Sequence, residues 1–411
     1  MSFDTTDLII LLAMVSALVW LFLPHTRNST LWQATVTPLA SIIGSGFLVV
    51  APLVYLIMGK LAPFAMLGIV LLAYGIGGII RYNIRNLEPL LQQSGKMDHF
   101  TLYNERVSSF ALSLAYVVSI AFYLRLLSSF LLHQTGHGGG VFLEKGLTTF
   151  VLLSIGLVGV RFGLRVLEHL EKYSVTIKLA IIFALLIGLA LFDLRSIPFE
   201  SLSNPAAMEH GWWERLRMLA GLLLVVQGFE TSRYLGEEYD RDTRNRTMRL
   251  AQVLSGAIYV AFVILALPLL AHMQNPEPDE TAIIELAGMV SPLLPYMLIV
   301  AAVMSQFSAA VADTVGCGGL LSEETKGKLT AGRSYLLITG LAIVLVWVAN
   351  VFEIISIASR AFALYYLLQG INAWMTVGKC EKGGTCAVQR LRFGVLILAL
   401  AFVVIFGISA E

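Results

Sequence analysis

Twelve apolar runs, each about the length that crosses a hydrocarbon layer, follow one another through this 411-residue chain with only short polar connections. They cover 8–23, 35–58, 64–84, 107–132, 147–166, 177–192, 216–235, 251–270, 287–312, 335–351, 354–374 and 393–408. In hydrocarbon every backbone N–H and C=O must be satisfied within the protein, which leaves the α-helix or the closed β-barrel. Segments alternating apolar and polar residues are absent, so the runs predict an all-α membrane protein. Hydrophobic residues at 57% against 13% charged exclude an ordinary soluble domain. No clustered basic face suggests a nucleic-acid partner. Cys317, Cys380 and Cys386 make no disulfide framework, and Cys380/Cys386 without nearby histidines is a poor zinc signal, so no metal or cofactor is expected. The first run follows Asp4 and Asp7 and lacks a small-residue cleavage site, which reads as a retained helix.

Two runs are interrupted by glycine. The second carries Ile43-Gly44-Ser45-Gly46-Phe47 and the seventh Gln227-Gly228-Phe229-Glu230-Thr231. Non-helical backbone at membrane depth is tolerated where it lines a cavity, so each break is a candidate binding site; for either alone, close helix packing through small residues is the alternative. Four spans lie between them, so a five-helix unit returns in the opposite orientation. The expected architecture is an inverted repeat of two five-helix units, 35–192 and 216–374, with discontinuous first and sixth core helices, one helix before and one after. As domains this gives 1–30 for the extra N-terminal helix, 31–195 and 196–376 for the repeats, and 377–411 for the C-terminal helix. Twenty lysines and arginines fall on one set of connections and five on the other, which places 86–104, 240–248 and 379–389 in the cytoplasm and both termini outside. The two breaks should be helix–extended–helix and meet at mid-membrane.

Four stretches carry a family likeness: Ile43-Gly44-Ser45-Gly46-Phe47 with Pro52; Gly159-Val160-Arg161 leading through Lys172 to Lys178; Gly228-Phe229-Glu230; and Gly236-Glu237-Glu238-Tyr239-Asp240. From about 35 to 375 the chain resembles the amino acid–polyamine–organocation (APC) superfamily of secondary transporters, with its leucine-transporter-like fold. It departs from that pattern in lacking a proline in 237–249, in having one helix after the repeat instead of two, and in having an extra one before it.

The residues then take expected roles. The Gly44-Ser45-Gly46 break offers amide donors at the start of a half-helix, suited to an anionic group such as a carboxylate, and Ser45 adds a hydroxyl. With Ile43, Gly228, Phe229, Glu230 and Thr231 it forms the candidate substrate site. The resemblance adds Tyr116, Phe122 and Tyr123 on the third core helix, where packing is the alternative. It also implies proton sensing or gating for Glu230; a structural pair with Arg233 at i,i+3 is the alternative. Lys178 resembles the fifth-helix lysine that takes the place of sodium in proton-coupled relatives, against simple snorkelling at the interface. Ser305 and Ser308 share a face of the eighth core helix, but Ala309 stands where sodium-coupled relatives have a second adjacent hydroxyl. Asp313 is either the polar cap closing the 287–312 span or a coupling residue. Arg125 and Arg360, inside apolar spans, must be paired or wet, with Glu353 a loose candidate for Arg360.

The function expected from this resemblance is secondary active transport of an amino acid or related small organic ion, proton-coupled or sodium-independent. The alternative is an inorganic cation transporter on the same fold. Symport and antiport stay open, as does a homodimer. An enzyme is not expected, because no metal spacing, Ser-Lys pair or carboxylate cluster is present and His133 and His137 fall in a glycine-rich loop. A sensor or scaffold is disfavoured by the shortness of the loops. The expected location is multi-pass in the cell membrane, a bacterial inner membrane, with substrate, protons and lipid as partners.

Overall fold

The computed structural model describes residues 4–44, 46–92, 98–134, 140–162, 165–195, 210–236, 238–273, 279–380 and 385–410, and among them every regular element is helical. Ser45, His137 and Glu237 lie outside the described residues, as does the side chain of Lys172. The extra helix α1 (Thr5–Phe22) and the turn α2 (Pro24–Arg27) precede the first repeat. That repeat runs through α3 (Thr30–Gly44) and α4 (Phe47–Met58), the halves of the first core helix, then α5 (Ala62–Tyr82), a π turn Asn83–Leu87, α6 (Glu88–Leu91), α7 (His99–Gln134), α8 (Val141–Phe162) and α9 (Arg165–Arg195). The second runs through α10 (Trp212–Gly221), 3-10 turns Leu223–Val226 and Phe229–Tyr234, α11 (Arg241–Leu270), α12 (Ala282–Val290), α13 (Leu294–Glu324), α14 (Ala331–Val348) and α15 (Val351–Cys380). α16 (Thr385–Phe406) follows.

The packing carries the symmetry of an inverted repeat. The third core helix α7 packs on the tenth, α15, and its counterpart α13 packs on α9, the fifth. Equivalent helices also pair across the repeats: α5 with α11, α7 with α13, α8 with α14. Nine helical segments among the described residues are long and apolar enough to cross a membrane, and Gly332–Val348 is a shorter apolar helix. The second and seventh runs are the broken ones; the second half of the former is continuous with the helix after it in the segment Phe47–Leu91. The chain is a multi-pass membrane protein.

Local chemistry sets several boundaries. Asp4 caps α1, accepting from Thr5 N at 2.7 Å, while Asp7 accepts from the Ser291 hydroxyl at 2.5 Å and ties α1 to the second repeat. Asp240 caps α11 through Thr243 N at 2.8 Å, and the hydrogen bonds from Thr243 hold its carboxyl below the usual range.

Two expectations on elements are corrected. The 287–312 run is not one span: Ser291, which precedes Pro292, is extended and separates α12 from α13, as the clash of a proline ring with a preceding α conformation requires. The sixth core helix is not helix–extended–helix either, because after Gly221 it continues in 3-10 turns. The Gly228 carbonyl accepts from Thr231 N at 3.3 Å and from the Thr231 hydroxyl at 2.7 Å, an i,i+3 closure that tightens the restart.

Candidate functional site

Both breaks pivot on glycines in conformations closed to other residues. Gly46 has φ 129° and Gly228 φ 114°. Beyond Gly46 the helix restarts at once, with Gly46 O accepting from Val49 N and Val50 N at 3.1 Å. The breaks touch: a Cβ on Gly228 would lie 2.4 Å from Ser41 Oγ and 2.8 Å from Ser41 C, so only glycine lets this backbone lie against the last turn of α3. Backbone carbonyls beside an interrupted helix must still be satisfied within the bundle, and the Tyr259 hydroxyl on α11 donates to Ile42 O and Val225 O, at 3.0 and 2.7 Å. Sequence reasoning missed Tyr259, although a tyrosine in the middle of an apolar span signals a hydroxyl that must find a partner.

Glu230 is fully buried. Its Oε2 accepts from Gly228 N at 3.0 Å and from the Tyr366 hydroxyl on α15 at 2.5 Å. Tyr366 also lies 3.3 Å from Gln227 Oε1 and stacks on Phe229 with centroids 5.1 Å apart. Glu230 Oε1 and Gln227 Nε2 have no hydrogen-bond partner among the described residues. A spare acceptor and a spare donor therefore flank one tyrosine at the break, an arrangement that is costly unless something polar completes it. Phe122 closes over the first break, its ring 3.6 Å from where a Gly46 Cβ would be.

The expected Glu230–Arg233 alternative is not formed. Arg233 donates to Glu105 Oε1 at 2.7 Å and lies 3.8 Å from Glu88, because these two carboxylates stand beside it while Glu230 folds back on the Gly228 amide. Arg244 grips Glu88 with both Nη atoms, at 3.1 and 2.7 Å, and donates to Arg233 O at 2.8 Å. Glu105 Oε2 accepts from Gln369 at 3.1 Å and Asn372 at 2.9 Å. This network joins α6, α7, the turn Phe229–Tyr234, α11 and α15 below the breaks.

Lys178 does not snorkel: it is 2% exposed, and its Nζ donates to Ala40 O at 2.9 Å and Ser305 Oγ at 3.1 Å. The ammonium thus sits between the end of α3 and α13, 3.8 Å from a Cβ position on Gly44. Ser308 is buried on α13. Asp313 is not a helix cap, since α13 continues to Glu324; it is buried in mid-helix and accepts from Ser119 on α7. Tyr116 and Tyr123 are buried on α7 one turn either side of Ser119, Tyr116 against Phe362. Arg125 stands apart, paired with Glu144 of α8 at 3.1 Å. Arg360 reaches Val404 O at 2.8 Å and not Glu353, which caps Asn350 N at 2.8 Å.

Broken first and sixth core helices, joined at mid-bundle inside an inverted repeat, define the class of fold that transporters use to alternate access. The structure is similar to that of Mhp1, a nucleobase-cation-symport-1 family transporter solved in a closed conformation with bromovinylhydantoin bound, with a TM-score of 0.53, 13% identity and 91% of each chain covered. The family described as APC superfamily transporter matches residues 24–407, and the chain belongs to it. An uncharacterized protein of Aquifex aeolicus (strain VF5) is 47% identical over 408 residues, 99% of this chain and 98% of that one. The family is one of transporters, not enzymes.

Proposed function

We propose that this transporter carries an amino acid or related small organic ion and that protons, not sodium, drive it. The observation that carries the reading is Lys178, whose ammonium lies between Ala40 O and Ser305 Oγ, oxygens that would otherwise suit a hard cation. A fixed positive charge there makes a bound sodium ion unwelcome. Proton exchange falls to Glu230, buried with one oxygen spare beside the Gly228 turn. The substrate's anionic end would take the backbone amides at the start of α4, from Gly46 onward, and its polar remainder Gln227 and Glu230, under the rings of Phe122, Phe229 and Tyr366.

The test is uptake into proteoliposomes with pH and sodium gradients imposed separately, against a panel of amino acids and alkali cations. Uptake should follow an inward proton gradient and persist when choline replaces sodium; strict sodium dependence overturns the coupling assignment. Glu230→Gln keeps the shape but cannot gain a proton, so its uptake should lose the pH response of the parent. One observation favours a second substrate class: the unpaired Gln227 Nε2 and Glu230 Oε1 make a donor and acceptor pair beside a stacked ring, which suits a flat cyclic amide such as the hydantoin held by Mhp1. Competition by hydantoins or nucleobases, and not by amino acids, selects it.

Gating falls to the network below the breaks. Removing the Glu105 charge by Glu105→Gln leaves the buried Arg233 with the more distant Glu88 alone, and the inner end should open more often. A cysteine placed at the buried Ser108 should then be alkylated several-fold faster by an impermeant maleimide than in the parent. Equal rates would remove the network from gating.

A further inference from the structure

At the end of the bundle that the charge count assigns to the cytoplasm, α5, α11 and α16 border a half-open cavity of about 550 Å³, with Arg246, Arg249 and Arg392 exposed at it. Five arginines line it, Arg81, Arg85, Arg246, Arg249 and Arg392, and no carboxylate does so among the described residues. Arg85 is paired outward with Asp242 at 3.1 Å. Among the described residues no ion pair is made by Arg246, Arg249 or Arg392. Like charges are also brought close: a Cβ on Gly78 would lie 2.9 Å from Arg392 Nη2 and 3.7 Å from Arg81 Nη2. Arg81 is buried and held in place, with Nη2 donating to Tyr74 O at 3.1 Å, Nη1 to Gln252, and the guanidinium 4.8 Å from the centre of the Tyr74 ring.

Converging guanidinium groups with no counter-charge are an unfavourable arrangement that an anion relieves. The planar forks of arginine match phosphate oxygens, and a phosphate group takes several at once. A cavity between helices at the inner membrane face is also where an anionic headgroup arrives. We propose that this cavity binds a phosphate group, with Arg81, Arg249 and Arg392 as its principal donors, and that the bound phosphate joins α16 to the α5–α11 pair. The source is either the headgroup of an anionic phospholipid or a soluble phosphate. The inference does not depend on which substrate is carried or on how transport is coupled.

The experiment measures thermal unfolding of the full-length protein in neutral detergent at constant ionic strength. Dioctanoyl phosphatidylglycerol, dioctanoyl phosphatidylcholine or inorganic phosphate is titrated in. Ligand that binds only the folded state raises the midpoint with concentration. The midpoint should rise with phosphatidylglycerol alone if the site takes the lipid, and with inorganic phosphate as well if it takes the free anion. Phosphatidylcholine should give no rise. Arg249→Gln/Arg392→Gln should weaken the effect about tenfold or more, with an unliganded midpoint no lower than the parent's, since two repelling charges are gone. Lys60→Gln, outside the cavity, should leave the effect intact. Absence of a shift with both anions, an equal shift with phosphatidylcholine, or an undiminished shift in the double variant would overturn the proposal.

Discussion

Replacing Gly228 with alanine is expected to abolish uptake and to lower the thermal midpoint of the purified protein. The new Cβ would fall 2.4 Å from Ser41 Oγ and 2.8 Å from Ser41 C, and the backbone at φ 114° already disfavours any side chain. The left-handed conformation costs ~1–2 kcal/mol, and overpacking adds ~1–3 kcal/mol. Removing the serine hydroxyl in Gly228→Ala/Ser41→Gly should recover little, because the Ser41 backbone remains in the way. Gly68→Ala is the control, since a Cβ there meets nothing within 4 Å. Parent-like uptake and midpoint in Gly228→Ala would show that the two breaks do not depend on this contact.

Lys178→Met should fold and yet lose transport by about tenfold or more, a change worth ~1.4 kcal/mol in the transport step. Methionine fills much of the same volume but leaves Ala40 O and Ser305 Oγ without their ammonium donor, and a buried acceptor left unpaired costs ~1–3 kcal/mol. The readout that separates a coupling role from mere packing is ion dependence. With the fixed charge gone, residual uptake should be stimulated by sodium, whereas uptake by the parent should not be. A variant with parent-like rates and no response to sodium would reduce Lys178 to a structural residue.

The legible part of the site was its backbone. Glycines inside apolar runs can be recognised one at a time, and Gly46 and Gly228 stand at the breaks with positive φ. Lys178 was legible as a position but not as a contact, since nothing local distinguishes a snorkelling lysine from one whose Nζ reaches across to Ala40 and Ser305. Asp313 stayed open between a helix cap and a coupling residue because its place depended on the end of a run. The apolar stretch stops at Ala312, yet α13 continues through Asp313, which is satisfied by Ser119 on another helix. Hydropathy reports where lipid ends; a helix facing protein can carry a carboxylate and go on.

What the sequence determined by itself was the class of fold. Hydrocarbon forces each long apolar run into a helix, and the parity of five helices forces the second unit to run opposite to the first. These constraints act within a run or on its order, so they can be read without coordinates. What only the tertiary structure decided was the pairing of polar groups distant in the chain: Arg233 with Glu105 instead of Glu230, Arg125 with Glu144, Tyr366 with Glu230, and Tyr259 with the carbonyls of both breaks. A buried charge or carbonyl requires some partner. The requirement does not say which, and the choice is made when packing brings one donor within about 3 Å.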